Sequence, residues 1–175
     1  MKIIPLITAT LACLSLAHHG LAAGSGSPTI TENYCKKKGM VFDKEKKKCV
    51  EASRGMFDDD TLFINARNFA YDGKFDYAIQ LLQLAENQDD PRILNFLGFS
   101  HRKKGQSAIA MEYYERALDI DPNYVLARSY MGQGMVVDGN IAGAKEQLKE
   151  IRDRGHSGSW AYTMLEDAIQ KKGTY

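Results

Sequence analysis

The chain has 175 residues, 44% of them apolar, with 23 Lys and Arg against 22 Asp and Glu. That apolar share excludes a chain disordered throughout, and a formal charge of +1 excludes a strong general preference for polyanions. Nucleic acid is therefore not an expected partner, and the length suits one domain, or one domain with an appendage.

The first residues stand apart. Lys2 is followed by an apolar run from Ile3 to Ala17 and then by His18-His19-Gly20-Leu21-Ala22-Ala23. A basic start, a short apolar stretch and small residues behind it describe a secretory signal peptide over 1–23, cleaved after Ala22 or Ala23; the alternative is a buried N-terminal helix. The run is short of the roughly 20 residues that span a bilayer. Thr10-Leu11-Ala12-Cys13 departs from a lipoprotein signal at Thr10, where an aliphatic residue is usual, so lipidation of Cys13 is the less favoured variant.

With 1–23 removed, Cys35 and Cys49 are the two cysteines left. In an exported chain they most simply form one disulfide, closing a loop of about 15 residues worth roughly 3 kcal/mol. No His lies nearby to complete a zinc site. A flexible linker is expected over 24–34, "GSGSPTIT" in its first part. A disulfide-closed basic hairpin follows over 35–50, with Met40-Val41-Phe42 as a short strand and Asp43 to Lys48 as a turn. Its lysines are read first as a solvated tip, and second as a contact for an anionic surface such as membrane or cell-wall polymer.

From Asp59 onward apolar residues keep a helical period, broken by Gly at thirty-odd-residue intervals. Gly73, Gly105 and Gly139 share their spacing with Ala78, Ala110 and Ala144, with Leu82, Tyr114 and Leu148, and with Ala85, Ala117 and Ile151. This is an internal repeat, and each copy reads as a helix pair. In the second, Leu94, Leu97, Gly98 and His101 share one face. Asp90 can cap that helix, Pro91 suits its first turn and Gly105 can end it. Ala110, Met111, Tyr114, Ala117 and Leu118 form the stripe of the next helix. Small residues at Gly98 and Ala110 let the two helices approach closely, and Ala117 leaves room for the following copy. Asp58-Asp59-Asp60 lacks the Gly and Glu of a calcium loop and reads as charge at a helix N-terminus. Gly134, mid-helix, costs about 1 kcal/mol against Ala and points either to a close neighbour or to flexibility. After Arg154, Ser157 or Ser159 can cap a last helix over 157–172, with Trp160, Ala161, Met164, Leu165, Ala168 and Ile169 on one side. Trp160 is read as packing rather than binding.

At these residues the sequence resembles the tetratricopeptide repeat family, whose unit is 34 residues long. The second copy, Pro91 to Tyr124, matches at Leu97, Gly98, Gly105, Ala110, Tyr114, Ala117 and Pro122, with Leu94 and His101 in two aromatic places. The third, from Val125, matches at Gly132, Gly139 and Ala144. The first, from Asp59, offers Leu62, Ala66, Phe69, Gly73, Ala78, Leu82 and Ala85, but is two residues short and lacks the closing Pro, so its junction is expected to be tighter. The likeness covers roughly two-thirds of the chain. It implies an all-α fold, a right-handed α-solenoid of three helix pairs over 57–154 (59–90, 91–124, 125–154) plus a C-terminal capping helix, preceded by the small hairpin. A solenoid needs such a cap where its last apolar face would otherwise be wet.

No catalytic set emerges. His101 occupies a helix-facing place and His156 a Gly-rich turn; nucleophile elbow, phosphate-binding loop, His-Glu-x-x-His and Cys-x-x-Cys are all missing from the sequence. Met111, Met131, Met135 and Met164 fall on apolar faces. No metal or cofactor is expected, and enzyme is the least favoured class. What the resemblance implies instead is a concave groove lined by the first helices of the pairs. Carried over copy by copy, its residues are Phe63, Arg67 and Tyr71, then Arg92, Asn95, Phe99, Arg102 and Lys103, then Leu126, Ser129, Gln133 and Val137. The first two copies are basic with aromatics interleaved, and the third is uncharged. Such a groove suits an acidic segment or a free carboxylate, with Phe63 or Phe99 as apolar anchors. The carboxylate clamp of some family members is matched at Asn95 alone and is not carried over. The expected role is a non-catalytic interaction module in the envelope of a Gram-negative bacterium, most simply periplasmic. The alternative is a structural protein that self-associates through the ends of the stack. Membrane contact would follow only from lipidation of Cys13 or from the lysine-rich hairpin.

Overall fold

A computed structural model describes residues 32–172; the signal-peptide reading, Cys13 and the linker as far as residue 31 lie outside the described residues. Helix α1 spans Glu32–Lys37, and strands β1 (Val41–Asp43) and β2 (Lys48–Val50) form an antiparallel hairpin. Seven longer helices follow: α2 Asp59–Tyr71, α3 Phe75–Leu82, α4 Pro91–Lys103, α5 Ser107–Ile120, α6 Val125–Val137, α7 Ile141–Asp153 and α8 Trp160–Lys172.

Local chemistry sets their ends. The carboxylate of Asp58 accepts from the Thr61 N–H at 2.6 Å to start α2. Asp90 does the same for the Arg92 N–H at 2.8 Å, with Pro91 in the first turn of α4, and Ser159 accepts from the Tyr162 N–H at 3.2 Å before α8. Each such cap satisfies one of the donors a helix leaves open, worth about 1 kcal/mol. Gly105 ends α4 at φ 78, a conformation other residues avoid.

Successive helices pack on one another, and α2, α4, α6 and α8 also touch along one side, so the pairs pile up in sequence order. The seam is made where side chains vanish. A Cβ on Gly98 would lie 2.7 Å from the ring of Tyr114 and 3.1 Å from the Ala110 carbonyl, closer than atoms pack. Gly132 repeats the device against Leu165. A Cβ on Gly134 would meet Met111 at 2.6 Å and Arg102 at 3.0 Å, so that glycine admits a close neighbour. Ala117 packs with Leu94 and Ala127, which is the room it leaves for α6; Ala144 lies with Val136, Ile151 and Leu165.

The small hairpin and its Cys35–Cys49 disulfide are present as expected, the bond running from α1 to β2. Two expectations are corrected. Residues 32–34, assigned to the linker, belong to α1, whose Cys35 carbonyl accepts from the Lys38 and Met40 N–H groups. Ala85, placed in helical register with Ala117, is buried but lies beyond the end of α3. The shorter first copy turns there: Gln88 donates from Nε2 to the Leu82 and Ala85 carbonyls, and Asp59 accepts from the Glu86 and Asn87 N–H groups.

The N-terminal module seals the first end of the stack. Val41 is buried in the main core beside Ala52 and Phe57, Lys36 pairs with Asp72 at 2.9 Å, and the Lys74 ammonium donates to the Lys36 carbonyl. In the third copy Arg128 stands at the register of Leu62 and Leu94 and is also buried. It donates to the Pro122 carbonyl and to Gln147, so its polarity is spent on holding the α5–α6 turn.

Gly98→Leu is expected to overpack the α4–α5 seam and cost about 1–3 kcal/mol, read as a lowered denaturation midpoint; an unmoved midpoint contradicts the close approach. Peptide mapping before and after reduction is expected to find Cys35 and Cys49 protected from alkylation until reductant is added.

Candidate functional site

Helices α3, α5 and α7 make no comparable contact with one another, so α2, α4, α6 and α8 are the inner, concave layer. A line of aromatic rings runs across it. Phe63 and Phe96 meet edge to face at 5.5 Å between centroids, Phe96 and Phe99 lie 5.8 Å apart, Phe99 and Tyr130 4.9 Å, and Tyr130 and Trp160 6.4 Å. Tyr71 leans edge-on over Phe96 and Phe99 and its hydroxyl meets that of Tyr130 at 3.2 Å, joining α2 to α6 across α4.

Four cations sit on these rings: Arg67 and Arg92 over Phe63, Arg102 over Phe99 and Tyr130, and Lys103 over Phe99. Cation–π contacts of this kind contribute about 0.5–2 kcal/mol, more when dry, but leave the charge uncompensated. Their electrostatic situations differ. Arg92 pairs with Asp90 at 2.6 Å and with Asp60 at 2.9 Å, which hold its pKa above the usual arginine value and Asp90 below the usual carboxylate range. Arg67, Arg102 and Lys103 have no carboxylate within ion-pair distance among the described residues. Arg102 donates from Nε to the Tyr114 hydroxyl at 3.4 Å, while its buried Nη2 has no partner.

Several residues expected to face the groove do not. Asn95 is wholly buried, its amide donating to the Tyr124 hydroxyl at 3.4 Å. Ser129 is wholly buried too, its hydroxyl accepting from Gln133. Phe63 and Phe99 are 9% and 7% exposed, so they form the floor under the cations and cannot serve as free anchors. Arg92 is on the concave layer but neutralised. Leu126 and Gln133 are half-buried, and Val137 is exposed at the end of α6, its carbonyl taken by the Lys172 ammonium.

One groove residue was missed. Trp160, read as packing, is 57% exposed and stands on the concave layer beside Tyr130; Met164 is also exposed, and Ala161, Leu165 and Ile169 do the packing of α8. The signal was present in the spacing: Arg92, Leu126 and Trp160 are separated by one repeat length each, so α8 is the first helix of a further half-repeat. Phe96 and Tyr130, buried rings of the floor, show the same interval.

His101 is a half-buried packing residue, stacked on Tyr113 with its Nδ1 2.7 Å from Gln106 Oε1. Among the described residues no three His, Cys, Asp or Glu side chains gather as metal ligands, and no helix is long and apolar enough to cross a membrane. Two hollows of about 330 and 360 Å³ lie away from the groove, between the N-terminal module and the first repeat.

Residues 91–124 match the family model described as tetratricopeptide repeat. The chain is 35% identical over 60 residues to the uncharacterized protein ycf37 of Pyropia yezoensis, covering 34% of this chain and 28% of that protein. It is 31% identical over 77 residues to the protein of the same name from Guillardia theta, covering 44% and 43%. The matched stretches thus span less than half the length of these relatives.

Burial pushes the phenols of Tyr114 and Tyr124 up to about 12, and that of Tyr130 higher still. The folded chain therefore keeps protons that the unfolded chain releases above about pH 10. Stability is expected to hold up to about pH 10 and to fall as pH rises through 12, with these three phenols ionising later in the folded chain than in the unfolded one. Tyrosinate absorbance followed together with circular dichroism checks this; full ionisation below pH 11 in a folded chain contradicts the buried floor.

Proposed function

We propose that this chain, a tetratricopeptide-repeat protein by residues 91–124 and the copies on either side, is a non-catalytic adaptor of the cell envelope whose concave groove holds an acidic segment of another protein. Repeats of this family generally mediate protein–protein interaction. The observation that carries the finer reading is the contrast among the groove cations. Arg92 already has its carboxylates, while Arg67, Arg102 and Lys103 sit on an aromatic floor without any among the described residues. Arg67 and Arg102, half-withdrawn from water and lacking a counter-charge among the described residues, favour an anionic ligand and offer it forked pairs of donors, with exposed Lys103 adding its charge beside them. Export is supported by the N-terminal run from Lys2 to Ala23 and by the disulfide, which persists in oxidising compartments. No role for a membrane surface enters this reading.

Self-association is the second reading, and one observation favours it: Met56 and Ile64 are 41% and 48% exposed beside the N-terminal module, with Met164 exposed at the far end. Light scattering that finds a mass rising with concentration would support it.

Changing Arg67, Arg102 and Lys103 together to Ala is expected to weaken capture of an acidic partner from envelope extract by at least about tenfold, since hydrogen bonds to charged groups contribute about 1.5–3 kcal/mol. Helicity by circular dichroism is expected to stay unchanged. Unaltered affinity removes the groove reading.

A further inference from the structure

We infer that the middle of the groove is a two-part recognition site, in which Arg102 takes an acidic side chain and Trp160 a bulky apolar one, from a single extended peptide segment. This rests on the groove reading above and adds the ligand's pattern to it.

The geometry comes from one ring. The Arg102 guanidinium carbon lies 5.9 Å from the centroid of Tyr130, and the Trp160 ring lies 6.4 Å from the same centroid. The charged and the apolar feature therefore flank a single residue. An extended peptide advances roughly 3.3–3.6 Å per residue, so the two side chains they would hold are about three positions apart or fewer. Residues far apart in an extended ligand could not reach both.

Each half has its own chemistry. Arg102 is fixed before any ligand arrives. Its stem passes beside Gly134, where a Cβ would collide with it, and its guanidinium rests on Phe99 and Tyr130 with Nε on the Tyr114 hydroxyl. A charge held in this way loses little rotamer freedom on binding. The Tyr71 and Tyr130 hydroxyls share one hydrogen bond; only one of their two protons is used in it, so the other can be donated to a carboxylate. On the other half, Trp160 is more than half exposed although it lies in an inner layer whose other rings are buried or tied to one another. Half-buried Leu126 holds the same place one repeat length earlier, on α6. An exposed Trp braced edge-on by a buried ring is the kind of contact that gains most from being covered by a partner.

Trp160 is the one tryptophan of the chain, so its emission reports on the apolar half directly. Three acetylated and amidated peptides with Pro-rich spacers, which hold the chain extended, make the test: one with Asp and Phe three positions apart, one with the same residues seven positions apart, and one with the close spacing but Asn for Asp. The first is expected to bind about tenfold more tightly than either of the others and to shift Trp160 emission. In Trp160→Ala, followed by calorimetry, the preference for close spacing is expected to vanish while the preference for Asp over Asn remains. Equal binding of the first two peptides to the unmodified chain overturns the two-part site, and that comparison needs no variant to fold. If both then bind but lose affinity in the Arg67, Arg102 and Lys103 triple variant, the groove reading survives; if the triple variant binds them undiminished, both readings fall. Failure of all three peptides to bind, with the triple variant still losing its protein partner, overturns the two-part site alone.

Discussion

The fit of the Tyr114 ring against the bare Cα of Gly98 is the contact on which the groove depends. It sets how closely α4 and α5 lie, and it places a fully buried phenol under the inner layer. That phenol receives the Nε of Arg102, which fits in its turn because position 134 carries no side chain. Two glycines, one on each of two neighbouring inner helices, thus decide where a positive charge stands. Packing and electrostatics are one arrangement here, since moving the ring would move the cation.

The two ends of the stack are finished differently. At the far end α8 packs on α6 and α7, with Trp160 and Met164 exposed while Ala161, Leu165 and Ile169 close the core. At the near end a short helix and hairpin are tied by the Cys35–Cys49 disulfide and docked through Val41. A two-stranded hairpin is marginal by itself, and the cross-link compensates by limiting the unfolded states open to it. The acidic run at the start of the first repeat is divided among three tasks: Asp58 caps α2, Asp59 ties down the turn after α3, and Asp60 binds Arg92. That last pairing removes one of the cations a reading by position alone would assign to a ligand.

Helix pairs, their period and most of their caps were legible because they depend on residue type at fixed spacing: Gly where φ is positive, Asp before Pro, small residues at the seam. The end of α3 was less so. A copy two residues short kept Ala85 buried while releasing it from the helix, a choice made by Gln88 and Asp59 from outside the segment. Groove residues were legible by position and not by exposure. Arg67, Arg102 and Lys103 lie on the inner layer as their places imply, but Asn95 and Ser129 at equivalent places turn wholly into the core. Arg128, at a place where the earlier copies carry Leu, found carbonyl and amide partners that no local pattern announces.

By itself the sequence determined the repeat, its helix pairs and the seam between them, because a missing side chain permits close approach wherever the chain folds back. The tertiary structure decided which cations keep an open charge, which aromatics become floor and which, at Trp160, remain free to be covered. Those outcomes depend on partners one or two repeats distant, as with Asp60 on Arg92 and Tyr71 on Tyr130. Electrostatic pairing and burial are set by what lies within a few ångströms in space, and spacing along a chain does not carry that information.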